Sequence, residues 1–283
     1  MKYQTLISTA DLASRLASPS LVIVDCRHEL ANPARGRELY AQSHIPGARF
    51  MHVDDDLSSK PNGRNGRHPL PDPAAFAQVL GRNGIGNATT VVAYDASGGM
   101  FAARLWWMLR HWLGHESVAV LDGGFTLWQS EGRPVTAELP QVQPARYAPR
   151  VTRNVVDAAF VATHLGKDGM LLVDARGADR FRGENETIDP VGGHIPGARN
   201  RPFAGNLDAT GRFHSPGVLR DAFRTVLNGT PPDEVVHQCG SGVSACHNIL
   251  AMNVAGLNGG RLYAGSWSEW CSDPARPMAT GAD

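Results

Sequence analysis

The chain has 283 residues, of which 42% are hydrophobic and 19% charged, a composition typical of one large or two ordinary globular domains and not of a disordered or fibrous protein. Basic and acidic residues both number 27, so the net charge gives no reason to expect nucleic acid or an acidic membrane as a partner. The N-terminal residues contain no apolar run of signal-peptide or membrane-spanning length, and we therefore expect a cytoplasmic protein with no membrane partner.

The first motifs along the chain occur twice. Asp25-Cys26-Arg27 ends an apolar strand candidate, and His44-Ile45-Pro46-Gly47-Ala48 follows it. The second half repeats both motifs as Asp174-Ala175-Arg176 and His194-Ile195-Pro196-Gly197-Ala198. Because the separations, 149 residues for the aspartates and 150 for the histidines, keep register, the sequence predicts a duplicated domain.

Further strand candidates alternate with helical segments in both halves, which predicts an α/β fold with mostly parallel sheets flanked by helices. Residues 138–147 contain two prolines and show no periodicity, so we predict that they form a linker. The predicted domains are then residues 1–137 and 148–283, each within the usual size range of a domain.

The second half contains a cysteine at a predicted strand–loop–helix junction. A short strand candidate that begins with Val235-Val236 ends at Cys239, and Gly240-Ser241-Gly242 leads into a helical segment. In an open parallel sheet, backbone N–H groups and the positive end of a helix dipole converge at such a junction, which favours the thiolate that acts as nucleophile. Asp95 occupies the equivalent place in the first half, so we predict one catalytic site and a catalytically silent N-terminal domain.

The other cysteines, Cys26, Cys246 and Cys271, form no CxxC pair and have no metal-ligand spacing. We therefore expect neither a disulfide framework nor a metal site, and we interpret these three cysteines as buried apolar side chains.

Together, these motifs resemble those of the two-domain rhodanese-type sulfurtransferases, a family that includes thiosulfate and 3-mercaptopyruvate sulfurtransferases. The resemblance spans nearly the whole chain and rests on both repeated motifs, the cysteine loop, Leu121-Asp122-Gly123-Gly124 and Gly265-Ser266-Trp267. It implies two tandem rhodanese-like domains without a cofactor. It also implies that Cys239 takes a sulfane sulfur from a small donor and passes it, as a persulfide, to a thiophilic acceptor: cyanide, a small thiol, or a protein thiol such as a thioredoxin-like protein.

The resemblance also implies roles for the residues after Cys239. The loop Cys-Gly-Ser-Gly-Val-Ser-Ala is similar to the mercaptopyruvate type, whereas thiosulfate enzymes often have two cationic residues after the cysteine. In that type the serine joins a histidine and an aspartate from the first half in a proton relay, matched here by Ser241, His68 and Asp54, although Asp55 and Asp56 adjoin Asp54. The loop residues expected to surround the sulfur are Gly240, Gly242, Val243, Ser244 and Ala245.

An arginine is expected to bind the carboxylate of the donor, because a guanidinium presents a planar fork of N–H donors. By resemblance this residue is Arg180, in the motif Arg180-Phe181, and Arg182 is a further candidate for binding an anion. Mercaptopyruvate enzymes of the animal type have a second arginine downstream, but residues 184–191 contain none. The sequence therefore leaves both 3-mercaptopyruvate and thiosulfate open as the donor.

The same cysteine loop bears on two other interpretations. A cysteine-dependent phosphatase needs an arginine six positions after the cysteine, where this chain has Ala245, so phosphate would lack its main cationic partner. A non-enzymatic sulfur-carrier or redox-sensing binding module, loaded by a protein partner, stays open at this point.

Overall fold

The structure, a computed structural model, describes residues 4–282 and contains two compact units that are not contiguous in sequence. The first unit comprises the residues up to Ser59, Leu70–Thr152 and Asp208–Phe213. The second unit comprises Lys60–Pro69, Arg153–Leu207 and the residues from His214 on. The short segment Lys60–Pro69 thus belongs to the second unit although it lies in the first half of the sequence.

The first unit is built on a five-stranded sheet. Its strands are β1 (Leu6–Ile7), β2 (Leu21–Asp25), β3 (Arg49–Phe50), β4 (Thr90–Tyr94) and β5 (Val118–Leu121). They pair in the order β1-β5-β4-β2-β3, and every pairing is parallel.

The second unit repeats this arrangement. Its strands are β6 (Val155–Val156), β7 (Leu171–Asp174), β8 (Arg199–Asn200), β9 (Val235–Gln238) and β10 (Arg261–Tyr263). They pair in parallel in the order β6-β10-β9-β7-β8, so strand for strand the order matches that of the first sheet. The predicted α/β fold and the duplication are both confirmed.

Helices connect the parallel strands, as crossover connections require. In the first unit they are α1 (Thr9–Ala13), α2 (Arg35–Gln42), α3 (Pro73–Arg82), α4 (Met100–Trp107), which a π-helical turn at Met108–Trp112 extends, and α5 (Gly124–Ser130). In the second unit they are α6 (Ala158–His164), α7 (Ala178–Arg182), α8 (Pro216–Leu227), α9 (Ser244–Val254) and α10 (Ser266–Trp270), with 3₁₀ turns at Phe203–Asn206 and Pro232–Glu234. Among the described residues, no helix is long and apolar enough to cross a membrane.

The helix boundaries follow local sequence signals. Helix α3 begins at Pro73, and the side chain of Asp72 accepts hydrogen bonds from the next two free backbone N–H groups. Helix α8 begins in the same way, with Pro216 at its first position and Ser215 as its cap. Both combine a capping oxygen with a proline whose fixed φ suits the first helical turn.

A buried ion pair lies at the end of the second strand in each sheet. Arg27 binds Asp25 with a shortest N–O distance of 2.6 Å, and Arg176 binds Asp174 at 2.7 Å. Each guanidinium also lies over an aromatic ring, Phe125 or Trp267. Because each pair is buried with several hydrogen bonds, removing one partner would leave an uncompensated charge. The repeated Asp-x-Arg motifs are therefore accounted for by structural ion pairs.

The predicted linker, residues 138–147, packs on the first unit. Nε2 of His44 lies 3.1 Å from the carbonyl oxygen of Glu138, and the N–H of Ala145 donates to the carbonyl of Gly81 at 2.9 Å. The second unit resumes at Arg153.

Candidate active site

Cys239 follows directly after β9 and is almost fully buried, with 2% of its surface exposed. The turn after it requires a glycine at position 242, where φ is +74° and a Cβ atom would lie 2.4 Å from the carbonyl oxygen of Ala264. Helix α9 then begins at Ser244, and the N–H groups of its first turn, like those of any helix, have no acceptor four residues earlier. The strand–loop–helix arrangement predicted around Cys239 is therefore present.

Ser266 holds the backbone of Cys239 in place. Its Oγ accepts a hydrogen bond from the N–H of Cys239 at 3.1 Å and donates one to the carbonyl of Tyr263 at 2.9 Å. The N–H of Trp267 donates to the carbonyl of Cys239 at 2.9 Å. Ser266 has φ +55°, a left-handed conformation that is unfavourable for a residue with a side chain. We did not predict this role, although the motif Gly265-Ser266-Trp267 was the signal for it.

His68 and Ser241 are in contact. Nδ1 of His68 lies 2.7 Å from Oγ of Ser241, and both residues are buried. The adjoining residue Arg67 is anchored through its N–H, which donates to Oγ of Ser268 at 3.1 Å. Two of the three residues predicted for the proton relay thus meet inside the second unit.

Asp54, the third predicted member, lies in the first unit, where its N–H donates to Nδ1 of His52 at 3.2 Å. Its part in a relay stays a prediction.

Arg180 is surrounded by acidic groups. Its Nε and Nη2 bind the carboxylate of Glu186 at 2.9–3.2 Å, and Nη2 also binds Asp189 at 3.1 Å. Hydrogen bonds from Arg180 lower the pKa of Glu186 although burial opposes its charge, whereas burial raises the pKa of Asp189. Arg182, in contrast, pairs with Glu184 at 2.7 Å on an exposed surface, so the structure gives no support for its predicted role in anion binding.

Arg176 places a buried positive charge in the same region. Burial disfavours this charge, but the carboxylate of Asp174 beside it raises the pKa of Arg176, with a smaller contribution from Cys239. Nη1 of Arg176 also lies 3.7 Å from Glu186. The guanidinium therefore belongs to the ion-pair network near the loop.

The remaining cysteines differ from Cys239 in their surroundings. Cys26 and Cys271 are buried, and burial raises the pKa of both thiols, that of Cys271 to about 11. Cys246 lies in α9 and directs its sulfur at the carbonyl of Gly242 at 3.3 Å. These contacts agree with their interpretation as packing residues.

Among residues 4–282, His28, His52 and Asp54 are the one group of potential metal ligands whose atoms lie within 4.8 Å of one another. Both ring nitrogens of His52 are already engaged, Nε2 at 2.8 Å from the carbonyl of Pro33 and Nδ1 with the N–H of Asp54. We therefore interpret the group as part of the local hydrogen-bond network.

The equivalent loop of the first unit has Asp95 in place of the cysteine. Its carboxylate is completely buried and accepts hydrogen bonds of 2.7–2.9 Å from four backbone N–H groups, those of Ser97, Gly99, Phe101 and Ala102. Burial raises the pKa of Asp95, and these four donors oppose the increase. The loop of the first unit thus binds an acidic group in place of a nucleophile.

Comparisons with known proteins identify the family of the chain. The family model described as a rhodanese-like domain matches residues 8–131 and 157–273. The chain is 46% identical to a probable 3-mercaptopyruvate sulfurtransferase of Pseudomonas aeruginosa, over 99% of this chain and 100% of that protein. It is 36% identical to a thiosulfate sulfurtransferase of Rattus norvegicus, over 95% and 92% of the two chains.

A solved structure is also similar. The 3-mercaptopyruvate sulfurtransferase from Leishmania major superposes with a TM-score of 0.83 at 31% identity, covering 94% of this chain and 74% of that one. The domain matches, the relatives and the duplicated sheets agree with one another. The chain therefore belongs to the rhodanese family of sulfurtransferases and contains two rhodanese-like domains.

Proposed function

We propose that this protein transfers a sulfane sulfur through a persulfide on Cys239 and that its preferred donor is 3-mercaptopyruvate. The observation that carries the choice of donor is the 2.7 Å contact between Nδ1 of His68 and Oγ of Ser241, two residues after the nucleophile. Thiosulfate is the alternative donor, favoured by the several arginines near the loop.

The two donors make different demands on the site. When the Cys239 thiolate attacks the sulfur of 3-mercaptopyruvate, an S–S bond forms and the C–S bond breaks. The electron pair of the C–S bond passes to carbon and gives the enolate of pyruvate, which must take up a proton. When it attacks thiosulfate, an S–S bond forms, another breaks, and sulfite leaves with the electron pair without needing a proton. A buried hydroxyl and imidazole in contact therefore serve the first reaction more than the second.

The second half of the cycle is the same for both donors. A thiophilic acceptor, such as cyanide or a thiol, attacks the outer sulfur of the persulfide, and the Cys239 thiolate leaves with the S–S electron pair. We propose small thiols and thioredoxin-like proteins as acceptors and the cytoplasm as the location. Turnover with free 3-mercaptopyruvate and a small thiol would separate this enzyme from a sulfur carrier loaded by a protein partner, since such a carrier would ignore the free donor.

The test compares kcat/KM for the two donors with cyanide as the common acceptor, in the wild type and in Ser241→Ala. We expect the wild type to prefer 3-mercaptopyruvate, and the substitution to reduce kcat/KM about 100-fold for 3-mercaptopyruvate but less than about threefold for thiosulfate. Ser130→Ala, which removes an exposed hydroxyl of the first unit, is the control. Equal losses for both donors in Ser241→Ala would argue against proton transfer through this serine.

A further inference from the structure

Gln238, the last residue of β9, has a buried amide side chain without a hydrogen-bond partner. Its exposed fraction is 0%, and among residues 4–282 neither Nε2 nor Oε1 of this amide has a partner. Buried polar groups are nearly always hydrogen-bonded, and a buried donor or acceptor without a partner costs free energy. An amide with unmet hydrogen bonds thus lies directly before Cys239 in the chain.

The first unit shows which residue has this position in the repeat. Tyr94 ends β4 and pairs with Asp25 in the sheet, as Gln238 pairs with Asp174. The hydroxyl of Tyr94 donates to Oδ2 of Asp25 at 2.8 Å and accepts a hydrogen bond from the N–H of Ile45 at 3.3 Å. One hydroxyl oxygen therefore joins the carboxylate to a backbone N–H group.

The second unit lacks this connection. Ile195 belongs to the repeated His-Ile-Pro-Gly-Ala motif and is completely buried, and its N–H has no acceptor within residues 4–282. The carboxylate of Asp174 accepts hydrogen bonds from the N–H, Nε and Nη2 of Arg176, with no hydroxyl donor among the described residues. By position in the repeat, these two groups and the amide of Gln238 face the place of the tyrosine hydroxyl.

The neighbouring ring also differs between the units. In the first unit the ring of Tyr94 stacks on Phe125, with ring centroids 5.6 Å apart. The equivalent residues of the second unit are Gln238 and Trp267, so a larger ring is combined with a side chain that has no ring. Because an amide of glutamine ends nearer to the backbone than the hydroxyl of tyrosine, the exchange leaves room for a small molecule at its tip.

Trp267 makes a contact that a phenylalanine could not make. Its Nε1–H donates to the carbonyl of Val191 at 2.8 Å. The segment that this bond anchors contains Asp189, which binds Arg180 of the candidate active site. The tryptophan therefore supports the site, and the shorter Gln238 accommodates its larger ring.

From these observations we infer that the second unit binds one buried water molecule where the first unit has the hydroxyl of Tyr94. The water accepts a hydrogen bond from the N–H of Ile195, donates one to the carboxylate of Asp174, and bonds to the amide of Gln238. About three polar partners are usual for a buried water. The site selects a small neutral molecule that both donates and accepts, because an apolar molecule would leave the buried polar groups unsatisfied. This inference does not depend on the choice of sulfur donor.

The direct test is a high-resolution crystal structure of the whole protein, in which ordered waters are visible. We expect one water within hydrogen-bond distance of the N–H of Ile195, Oδ2 of Asp174 and the amide of Gln238. A direct hydrogen bond between Gln238 and the N–H of Ile195, or a site without electron density, would overturn the inference.

A double variant exchanges the water for a hydroxyl. Gln238→Tyr combined with Trp267→Phe restores the two side chains of the first unit, so the new tyrosine hydroxyl should bind Asp174 as Tyr94 binds Asp25. We expect its crystal structure to lack the water. A water retained beside the new hydroxyl would show that the two do not share one site, which contradicts the inference.

A third variant tests the hydrogen bonds in solution. Gln238→Leu has a similar size without polar atoms and should lower the Tm by about 3 °C or more, because the water loses a partner. Gln129→Leu makes the same chemical change at an exposed position of α5 and should change the Tm by less than about 1 °C. Equal Tm values for the two variants would mean that the amide of Gln238 makes no hydrogen bond, and the inference would fail.

Discussion

The loops at 95–102 and 239–246 have a similar backbone arrangement but different first residues, Asp95 and Cys239. Both loops follow the central strand of a parallel sheet and lead into a helix. In both, a glycine with positive φ lies three residues after the first loop residue: Gly98 at +68° and Gly242 at +74°. In the first loop a buried carboxylate receives four backbone N–H groups, whereas the second holds the thiol of Cys239. The first loop therefore shows that this backbone directs four N–H donors at the side chain in this position.

Under the proposed function, the same property of the backbone serves sulfur transfer at the second loop. By position, the N–H groups that bind Asp95 correspond to those of residues 241, 243, 245 and 246. Donors fixed by the fold stabilise a charge without reorganising when it forms, as in an oxyanion hole. A thiolate must form twice in the cycle, first as nucleophile and then as leaving group, so one set of donors serves both steps.

The side chains around the two loops differ at two further positions. Position 96 is alanine, but its equivalent is Gly240, which makes room for the guanidinium of Arg67. Position 124 is a glycine with φ +58°, where a Cβ atom would lie 2.4 Å from the carbonyl oxygen of Asp95. Its equivalent, Ser266, keeps a similar φ but adds the hydroxyl that binds the N–H of Cys239. The second unit thus differs from the first in the side chains that surround a shared backbone.

The largest effect on the rate of sulfur transfer is expected when Cys239 is replaced by aspartate, the residue at the equivalent position of the first loop. Cys239→Asp should lower the rate of sulfur transfer at least about 10³-fold, because a carboxylate cannot form a persulfide and the nucleophile is lost. The loop should keep its fold, since its N–H groups again meet an anion, and thermal unfolding followed by circular dichroism would check this. Appreciable turnover in this variant would mean that the sulfur is carried elsewhere.

The next largest effect concerns the first loop. Asp95→Ala leaves four buried N–H groups without their acceptor and should lower the free energy of unfolding by about 3 kcal/mol or more. Chemical denaturation measures the loss, and Asp95→Asn, which retains one carbonyl oxygen, should lose less. A midpoint unchanged in both variants would show that the loop does not depend on the charge it surrounds.

A smaller effect, on the KM for the donor, is expected where the side chains of the two loops differ in size, at Ala96 and Gly240. Gly240→Ala copies Ala96 and would place a methyl group 2.7 Å from Nη2 of Arg67, so the guanidinium must move. We expect the KM for 3-mercaptopyruvate to rise about tenfold, the loss of roughly one hydrogen bond, with stability changed by less than about 1 kcal/mol. Gly217→Ala, where a Cβ atom would meet nothing within 4 Å, is the control. A KM equal to that of the control would show that binding of the donor does not depend on the space beside Gly240.

Much of the fold could be predicted from sequence because its signals are local and repeated. Apolar runs that end at Asp25 and Asp174 mark buried parallel strands, and the constant separation of the motifs shows the duplication. Cys239 could be predicted as a candidate nucleophile for the same reason, since its strand, its glycine-containing loop and its helix follow one another directly in the sequence. Ser241 and His68 came from the family resemblance, and their contact agrees with it.

Arg67 and Ser266 were not predicted, because their positions depend on contacts between distant segments. Nothing local shows that Lys60–Pro69 packs within the second unit, which brings Arg67 to Gly240 across 173 residues of sequence. Residues 184–191 were considered only for their lack of arginine, yet Glu186 and Asp189 both bind Arg180, and Asp189 also binds Arg67. Charge partners of this kind follow from the tertiary fold and not from spacing.

The central claim is that Cys239 carries the transferred sulfur, and the most direct measurement is the mass of the protein after reaction with 3-mercaptopyruvate in the absence of an acceptor. We expect a gain of one sulfur atom per chain, located by peptide mapping on the peptide that contains Cys239 and lost when cyanide is added. A sulfur found on Cys26, Cys246 or Cys271, or no added sulfur while pyruvate is released, would contradict the account.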